Sequence, residues 1–304
     1  MQMPSLFWTG KLSLPVKLLI NTNNILAWLN GSTGDVDAMK ERIKSGYDGN
    51  ITDSVRHYDE LGLENQIKAA KLQMEGLSIK GKEVLDVGAG TGALSFLLLQ
   101  QGAKKVTCGD ISEFMLNKCR EKATDMGFKE DRIDFRLLDA ESLPYAENSY
   151  DVVVTGMSFG LFPDQPKAIK EMFRVVRQSG FISVGAHGPE HYWEPMDAFI
   201  RSTNILYLVG YRPEFWPRTE IEVRNMMVKA GLSDITTRRV IWRNNYASGG
   251  DAWDFFAAIS SSWQYSKYPP EKRQADYKKV RDYFNKNKKN IVTDDIILAY
   301  GRKR

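Results

Sequence analysis

Two features of the chain have the residue types and spacing for ligand chemistry. The first is the run Val84-Leu85-Asp86-Val87-Gly88-Ala89-Gly90-Thr91-Gly92, an apolar strand-like segment that ends in three alternating glycines. A Cβ at these positions would obstruct both a tight turn and the approach of a ligand to the backbone. Where such a turn joins a strand to a helix, its N–H groups face an open crevice at the strand's carboxyl end. The second feature is Asp110, eighteen positions beyond Gly92 and directly after another strand-like run. A carboxylate there can accept both hydroxyls of a ribose. The pair describes a nucleotide-type cofactor site but does not choose the cofactor. Gly88 to Ala93 also fits the loose G-x-G-x-x-G/A fingerprint, with Asp110 near the expected spacing, so an NAD(P)-dependent oxidoreductase is the competing reading.

Acid–base candidates are few, because His57, His187 and His191 are the only histidines. His187 follows the strand-like run Phe181 to Ala186, which should bring it to the carboxyl edge where ligands bind. An imidazole of near-neutral pKa there suits proton removal from a phenol or activated carbon, and His57 is the reserve. His187-Gly188-Pro189-Glu190-His191 has the outline of a metal pair. Pro189 disturbs its helical i, i+4 spacing and nothing else clusters with it, so no metal is expected.

The elements that must position these residues alternate short apolar runs with helical patterns, which signals a parallel sheet. Strands are expected at Glu83–Val87, Lys105–Cys108, Arg132–Leu138, Tyr150–Gly156 and Phe181–Ala186. Helices are expected at Gly92–Gln101, Ser112–Met126 and Gln165–Val176, the last closed by Gly180 at C′. A further helix, Glu220–Ala230, and strands Ile235–Trp242 and Ile296–Tyr300 complete the core. The organisation read from this is an N-terminal helical extension (1–75), a core with the cofactor site (76–188), an inserted cap segment (189–216), core continued (217–246), a second inserted cap (247–290) and a final core strand (291–304).

Composition is that of an ordinary globular protein, 42% hydrophobic and 26% charged. Forty-two basic residues against 38 acidic ones, without a long basic block, exclude a nucleic-acid-tracking surface. Cys108 and Cys119 are too few for a disulfide scaffold or a four-ligand zinc site, which fits a reducing, cytoplasmic compartment. From Leu6 to Leu29 the chain is apolar but broken by Lys11, Pro15, Lys17 and Asn21 to Asn24, so neither a signal core nor a span of about 20 residues is expected. This segment reads as an amphipathic helix packed on its own domain, with peripheral contact to a membrane surface as the alternative.

Taken together these motifs resemble the class I S-adenosylmethionine-dependent methyltransferases, particularly the ubiquinone/menaquinone C-methyltransferase branch. The residues that carry the resemblance are Val84 to Gly92; Gly109-Asp110-Ile111-Ser112 with Met115; Leu138-Asp139-Ala140-Glu141-Ser142-Leu143-Pro144-Tyr145; Tyr150 to Val154; and Glu171 to Gly180. The match runs from about Lys82 to Gly185 and does not extend to the insertions. It implies a Rossmann-like, seven-stranded, mostly parallel α/β sheet flanked by helices, with an antiparallel last strand and S-adenosyl-L-methionine as cofactor. It further implies that Asp86 orients the loop and approaches the methionine amino group. Gly88, Ala89, Gly90 and Gly92 would line the cofactor and Asp110 would hold the ribose. Ile111 and Met115 would flank the adenine, with Asp139 on its amino group and Ala140 alongside. Thr155, Gly156 and Met157 would sit beside the methionine part. A tyrosine ahead of the core often closes over the cofactor in such enzymes; Tyr58 and Tyr47 are the candidates, Tyr58 first. The partner expected is a small-molecule methyl acceptor, apolar or aromatic, with a protein acceptor as the alternative. Both insertions should roof the site with Tyr192, Trp193, Phe199, Tyr207, Tyr211, Phe215 and Trp216 in one and Trp253, Phe255, Phe256, Trp263, Tyr265 and Tyr268 in the other, although most of these can equally pack the insertions themselves.

Overall fold

The computed structural model describes residues 10–29, 36–48, 56–203, 219–261 and 270–304. The chain forms two compact units. The core unit comprises Leu63–His187, Arg218–Val240 and Ile296–Arg304, and the accessory unit Met1–Gly62, Gly188–Pro217 and Ile241–Asp295.

Seven strands among the described residues form one sheet in the order β3-β2-β1-β4-β5-β7-β6. They are β1 (Glu83–Val87), β2 (Lys105–Asp110), β3 (Ile133–Leu137), β4 (Tyr150–Thr155), β5 (Val176–His187), β6 (Ser233–Asn245) and β7 (Ile291–Arg302). β1 pairs in parallel with β2 and β4, β2 with β3, and β4 with β5, whereas β7 runs antiparallel to β5 with Ser183 opposite Tyr300. The central strands read as near-continuous apolar runs because both faces are covered. Leu85, Val87, Val153, Ile182 and Val184 pack with Ile169, Met172 and Met227. The alternate residues Val84, Val106, Val152 and Val154 pack with Leu98, Leu116 and Cys119. Each such side chain contributes about 1.5–3 kcal/mol on full burial.

Helices follow the strands: α3 (Tyr58–Met74) before β1, α4 (Ala93–Gln100), α5 (Glu113–Asp125), α6 (Gln165–Val175) and α8 (Glu220–Ala230). Their starts have local causes. Ser112 accepts from Met115 N–H and Asp164 from Lys167 N–H, and Thr219 with Glu222 forms a capping box. The end of α6 differs from the expectation of a Gly180 cap. The helix stops at Val175 and the chain enters β5 at once, with residues 177–180 displaced where the register with β4 jumps from Tyr150↔Val176 to Val152↔Phe181. The orphan carbonyls at that end are collected from the far end of the chain: Lys303 Nζ donates to Phe173 O (2.8 Å), Arg174 O (3.3 Å) and Val176 O (2.9 Å). A cation at a helix C-terminus replaces the glycine cap.

The accessory unit contains the helices α1 (Leu14–Leu29), α2 (Val36–Tyr47), α7 (Trp193–Thr203), α9 (Gly249–Phe256) and α10 (Pro270–Lys286), together with residues 241–245 of β6 and 291–295 of β7. Its core is aromatic. Trp253 stacks on Phe199 at 5.5 Å and meets Tyr277 and Phe284 at 5.4 and 5.6 Å, while Tyr192 sets its edge to Phe255 and Phe256. Phe199, Trp253, Phe255 and Phe256 are fully buried, so these aromatics hold the insertions together. Tyr207, Tyr211, Phe215, Trp216, Trp263, Tyr265 and Tyr268 lie outside the described residues.

Candidate active site

β1 ends at Val87, and the next five residues form the glycine loop that opens α4. Gly88 N–H and Ala89 N–H both donate to Gly109 O, at 2.7 and 2.9 Å, which fixes the loop on the end of β2. Gly90 N–H donates to Asp110 Oδ2 at 2.8 Å, and Ser112 N–H to Oδ1 at 2.9 Å. Asp110 therefore joins the two turns after β1 and β2; a carboxylate accepts at both oxygens, which is what a ribose diol requires.

The glycines divide by role. All three have positive φ (75°, 55° and 93° at Gly88, Gly90 and Gly92). A Cβ on Gly88 would collide with Ser158 Oγ, and one on Gly92 would lie 2.6 Å from Phe96 Cζ and 2.7 Å from Cys119 Sγ. These two are needed for packing. At Gly90 a Cβ would meet nothing within 4 Å, so its open side is a cradle into which a ligand fits. A methyl there costs the fold on the order of 1 kcal/mol, because φ +55° lies in the small left-handed region. Gly90→Ala is expected to melt within a few degrees of the wild type yet bind S-adenosylhomocysteine at least tenfold more weakly, whereas Gly92→Ala loses on the order of 2–4 kcal/mol of stability. Thermal melts and calorimetric titration of the two variants check this contrast.

Asp86 lies one layer deeper. It is 1% exposed; Oδ2 accepts from Ser95 Oγ at 2.7 Å, and Oδ1 is buried without a hydrogen-bond partner among the described residues. Burial raises its pKa to about 7; the Ser95 hydrogen bond opposes the shift and the charge of Asp110 adds to it. A buried acceptor left short of a donor fits a ligand that brings an N–H⁺ group.

The remaining candidates stand at the carboxyl ends of the parallel strands. Ile111 is half-buried and Met115 buried in the first turn of α5. Leu138 N–H donates to Asp110 O at 2.9 Å, which brings the Asp139 turn beside Asp110; Asp139 Oδ1 accepts from Glu141 N–H at 2.9 Å, and Ala140 is buried. After β4, Thr155 Oγ1 is 3.0 Å from Ser158 Oγ, which donates to Val87 O at 3.2 Å, and Gly156 and Met157 are half-buried. Asp86, the glycine loop, Asp110, Ile111, Met115, Asp139, Ala140, Thr155, Met157 and His187 all belong to the core unit; His57 and Tyr58 belong to the accessory unit.

Two supporting residues are not among the site candidates. Gln73 Nε2, buried on α3, donates to Thr155 O (2.9 Å) and Ser183 Oγ (3.2 Å). Buried Glu141 accepts from Asp164 N–H at 2.7 Å. Ser95, a hydroxyl within the apolar run Ala93 to Leu99, had a readable signal.

The histidines have different settings. His187 ends β5 opposite Ile296, its ring packed on Gly160. Burial lowers its pKa to about 3, so it is neutral at pH 7 rather than poised near neutrality as its sequence position suggested. His57 is exposed, its Nδ1 2.7 Å from Glu60 Oε2. His191 Nδ1 accepts from Asp295 N–H at 3.0 Å. No three metal-ligating side chains cluster among the described residues. Tyr47 donates its hydroxyl to Ile259 O at 2.9 Å, and Tyr58 meets the Tyr47 ring edge-on at 6.2 Å.

An antiparallel β7 between β5 and β6 separates this fold from the 3-2-1-4-5-6 dinucleotide-binding arrangement, with which it shares the glycine loop after β1 and the carboxylate after β2. Residues 84–180 match the family model described as a methyltransferase domain. This stretch is therefore a methyltransferase domain, and it resembles the class I S-adenosylmethionine-dependent methyltransferases.

Within that class it is similar to the ubiquinone/menaquinone biosynthesis C-methyltransferase UbiE of Pseudoalteromonas translucida, 35% identical over 115 residues, 37% of this chain and 45% of that protein. It is also similar to the demethylmenaquinone methyltransferase of Bacteroides fragilis, 28% identical over 221 residues, 67% of this chain and 87% of that one. The chain thus spans about half the length of the first relative and most of the second. The solved YcgJ protein of Bacillus subtilis shares the fold, with a TM-score of 0.53 at 20% identity over 78% of this chain and 98% of that one.

Proposed function

We propose that this protein transfers a methyl group from S-adenosyl-L-methionine to a small apolar or aromatic acceptor by in-line displacement. The observation that carries the reading is the Asp86–glycine loop–Asp110 assembly: a buried acceptor short of a donor, an open glycine at φ +55° and a carboxylate tying two strand ends together. In this reading Asp86 faces the methionine ammonium, Gly88, Ala89, Gly90 and Gly92 form the floor, Asp110 holds the ribose, Ile111, Met115 and Ala140 flank the adenine, and Asp139 accepts from its amino group. Thr155 and Met157 border the methionine part.

S-adenosylmethionine bound there supplies an already activated methyl, so the chain contributes alignment and exclusion of water. Proton removal plays a smaller part. Holding a proton on His187 at pH 7 costs about 5 kcal/mol when its pKa is about 3, so the neutral imidazole serves as a wall of the site more readily than as its base. The apolar acceptor is supported by two relatives whose names concern quinones, and buried free thiols suit a cytoplasmic setting.

S-adenosylmethionine and S-adenosylhomocysteine should raise the melting temperature, by about 2.7 kcal/mol of added stability at a hundredfold excess over Kd, while NAD and NADP leave it unchanged. Labelled-methyl assays against quinone precursors, other phenols and protein extracts then separate small-molecule from protein acceptors. Stabilisation by NAD alone would overturn the cofactor, and methyl transfer into protein alone would overturn the acceptor.

A further inference from the structure

Helix α1 has two apolar faces, and its own unit uses one of them. Val16 and Ile20 are 3% and 1% exposed, and Leu12 just ahead of the helix is buried. Ser13 anchors the helix start, its N–H and hydroxyl both donating to Asp197 Oδ1 on α7 at 2.9 and 2.5 Å, and Lys11 reaches Glu190 at 2.8 Å. The other side stands in water: Leu14, Leu18 and Leu29 are 70%, 59% and 65% exposed, joined by Ile25, Leu26 and Leu19. At about 100° per residue, Leu14, Leu18, Ile25 and Leu29 fall within a stripe roughly 60° wide, which Leu19 and Leu26 broaden to about 140°. Pro15 and Thr22 are the other exposed residues of that sector, so it carries no charge. Aliphatic patches of this size on a soluble surface mark interaction sites.

Charge identifies the occupant. From Met1 to Gly34 the sequence contains no Asp or Glu, and its charged side chains are Lys11 and Lys17. The chain as a whole has 38 acids in 304 residues, so about four would be ordinary in such a stretch. A second copy of the same helix gives no reason to exclude carboxylates, whereas an anionic surface repels them and attracts the lysines. Lys17 lies beside the stripe, positioned to bury its stem and keep its ammonium in the headgroup layer. At 16 residues, about 24 Å, α1 falls short of a span, and no helix among the described residues is long and apolar enough to cross a membrane. The geometry points to α1 lying in the surface of an anionic lipid bilayer, with the Leu14–Leu18–Ile25–Leu29 stripe in the acyl boundary. This surface goes beyond the methyl-transfer reading and stands or falls separately from it.

The test is co-flotation of the full chain with vesicles of phosphatidylcholine, with and without phosphatidylglycerol. Wild type should float with the anionic vesicles and far less with the neutral ones. Leu14→Asn, Leu18→Asn and Leu29→Asn together, which leave Val16 and Ile20 in place, should lower partitioning on the order of tenfold or more, and Lys17→Glu about fivefold or more. Melting temperature and S-adenosylhomocysteine binding should stay at wild-type values in both variants, so loss of docking is separable from loss of the cofactor site. If the triple variant fails to fold, Lys17→Glu and Leu14→Asn alone carry the test. No flotation, equal flotation on neutral vesicles, or undiminished flotation of the variants overturns the proposal. So does a lipid-free dimer in sedimentation that the triple variant converts to a monomer, since a second copy would then cover the stripe.

Discussion

Asp110→Ala is expected to weaken S-adenosylhomocysteine binding roughly 10- to 150-fold, the equivalent of a charge-assisted contact worth about 1.5–3 kcal/mol. The variant also removes the acceptor shared by Gly90 N–H and Ser112 N–H, so the loop after β1 and the cap of α5 lose their common anchor. Two backbone donors left short of a partner at a half-buried site cost on the order of 1–3 kcal/mol of stability. Asp110→Asn separates the contributions. Its amide oxygen can still accept one of the two bonds, so stability should lie between the alanine variant and wild type while affinity remains low, because the amide has lost both the charge and one acceptor. Calorimetric titration gives the affinity and urea unfolding the stability. Wild-type affinity in the alanine variant would remove Asp110 from the ribose and reopen the assignment of the whole loop.

What could be read from the sequence follows from where the causes lie. The central strands and α4 to α6 were legible because their apolar residues keep the period of a buried strand or a one-sided helix, and local caps at Ser112 and Asp164 mark the starts. The end of α6 was not, because its cap is the ammonium of Lys303, more than a hundred residues further along. A pattern reader finds Gly180 and takes it for the stop; the structure uses it inside β5, where a Cβ would press on Asp151 O. The same distinction runs through the site. Glycines and Asp110 announce themselves by spacing, whereas Gln73 holds the end of β4 from 82 positions away and nothing local marks it. The pKa of His187 was misjudged for a related reason. Its place after a strand is visible in sequence, but the burial that moves it to about 3 is a property of β5, β7 and the Gly160 backbone packed together.

Asp86→Asn is expected to stabilise the cofactor-free protein while impairing its cofactor affinity. The carboxyl titrates near 3.8 when unfolded and at about 7 when folded, because it is buried with only Ser95 as an observed donor. A folded pKa raised above the unfolded one means that folding takes up a proton between these values. Stability is greatest at low pH, falls by up to about 1.4 kcal/mol per unit from pH 4 to pH 7, and is flat above. The accumulated penalty at pH 8 is about 4 kcal/mol, and an amide that never ionises should recover about 2–4 kcal/mol of it, with Ser95 Oγ turning to accept from its N–H. The difference between variant and wild type should shrink to nothing as the pH approaches 4. Cofactor binding has the opposite requirement. A cationic ammonium pairs with the ionised carboxylate, so affinity should rise up to tenfold per unit as pH increases toward 7, with release of up to one proton, and level off beyond. Titration in two buffers of different ionisation enthalpy reads the proton directly, and urea unfolding at pH 5 and pH 8 reads the stability. Equal stability of the two proteins at pH 8, together with a pH-independent wild-type affinity, would mean that Asp86 stays ionised in the folded chain and serves only the Ser95 hydrogen bond. A more stable variant that binds poorly would show that the fold tolerates a strained carboxylate for the sake of the ligand it receives.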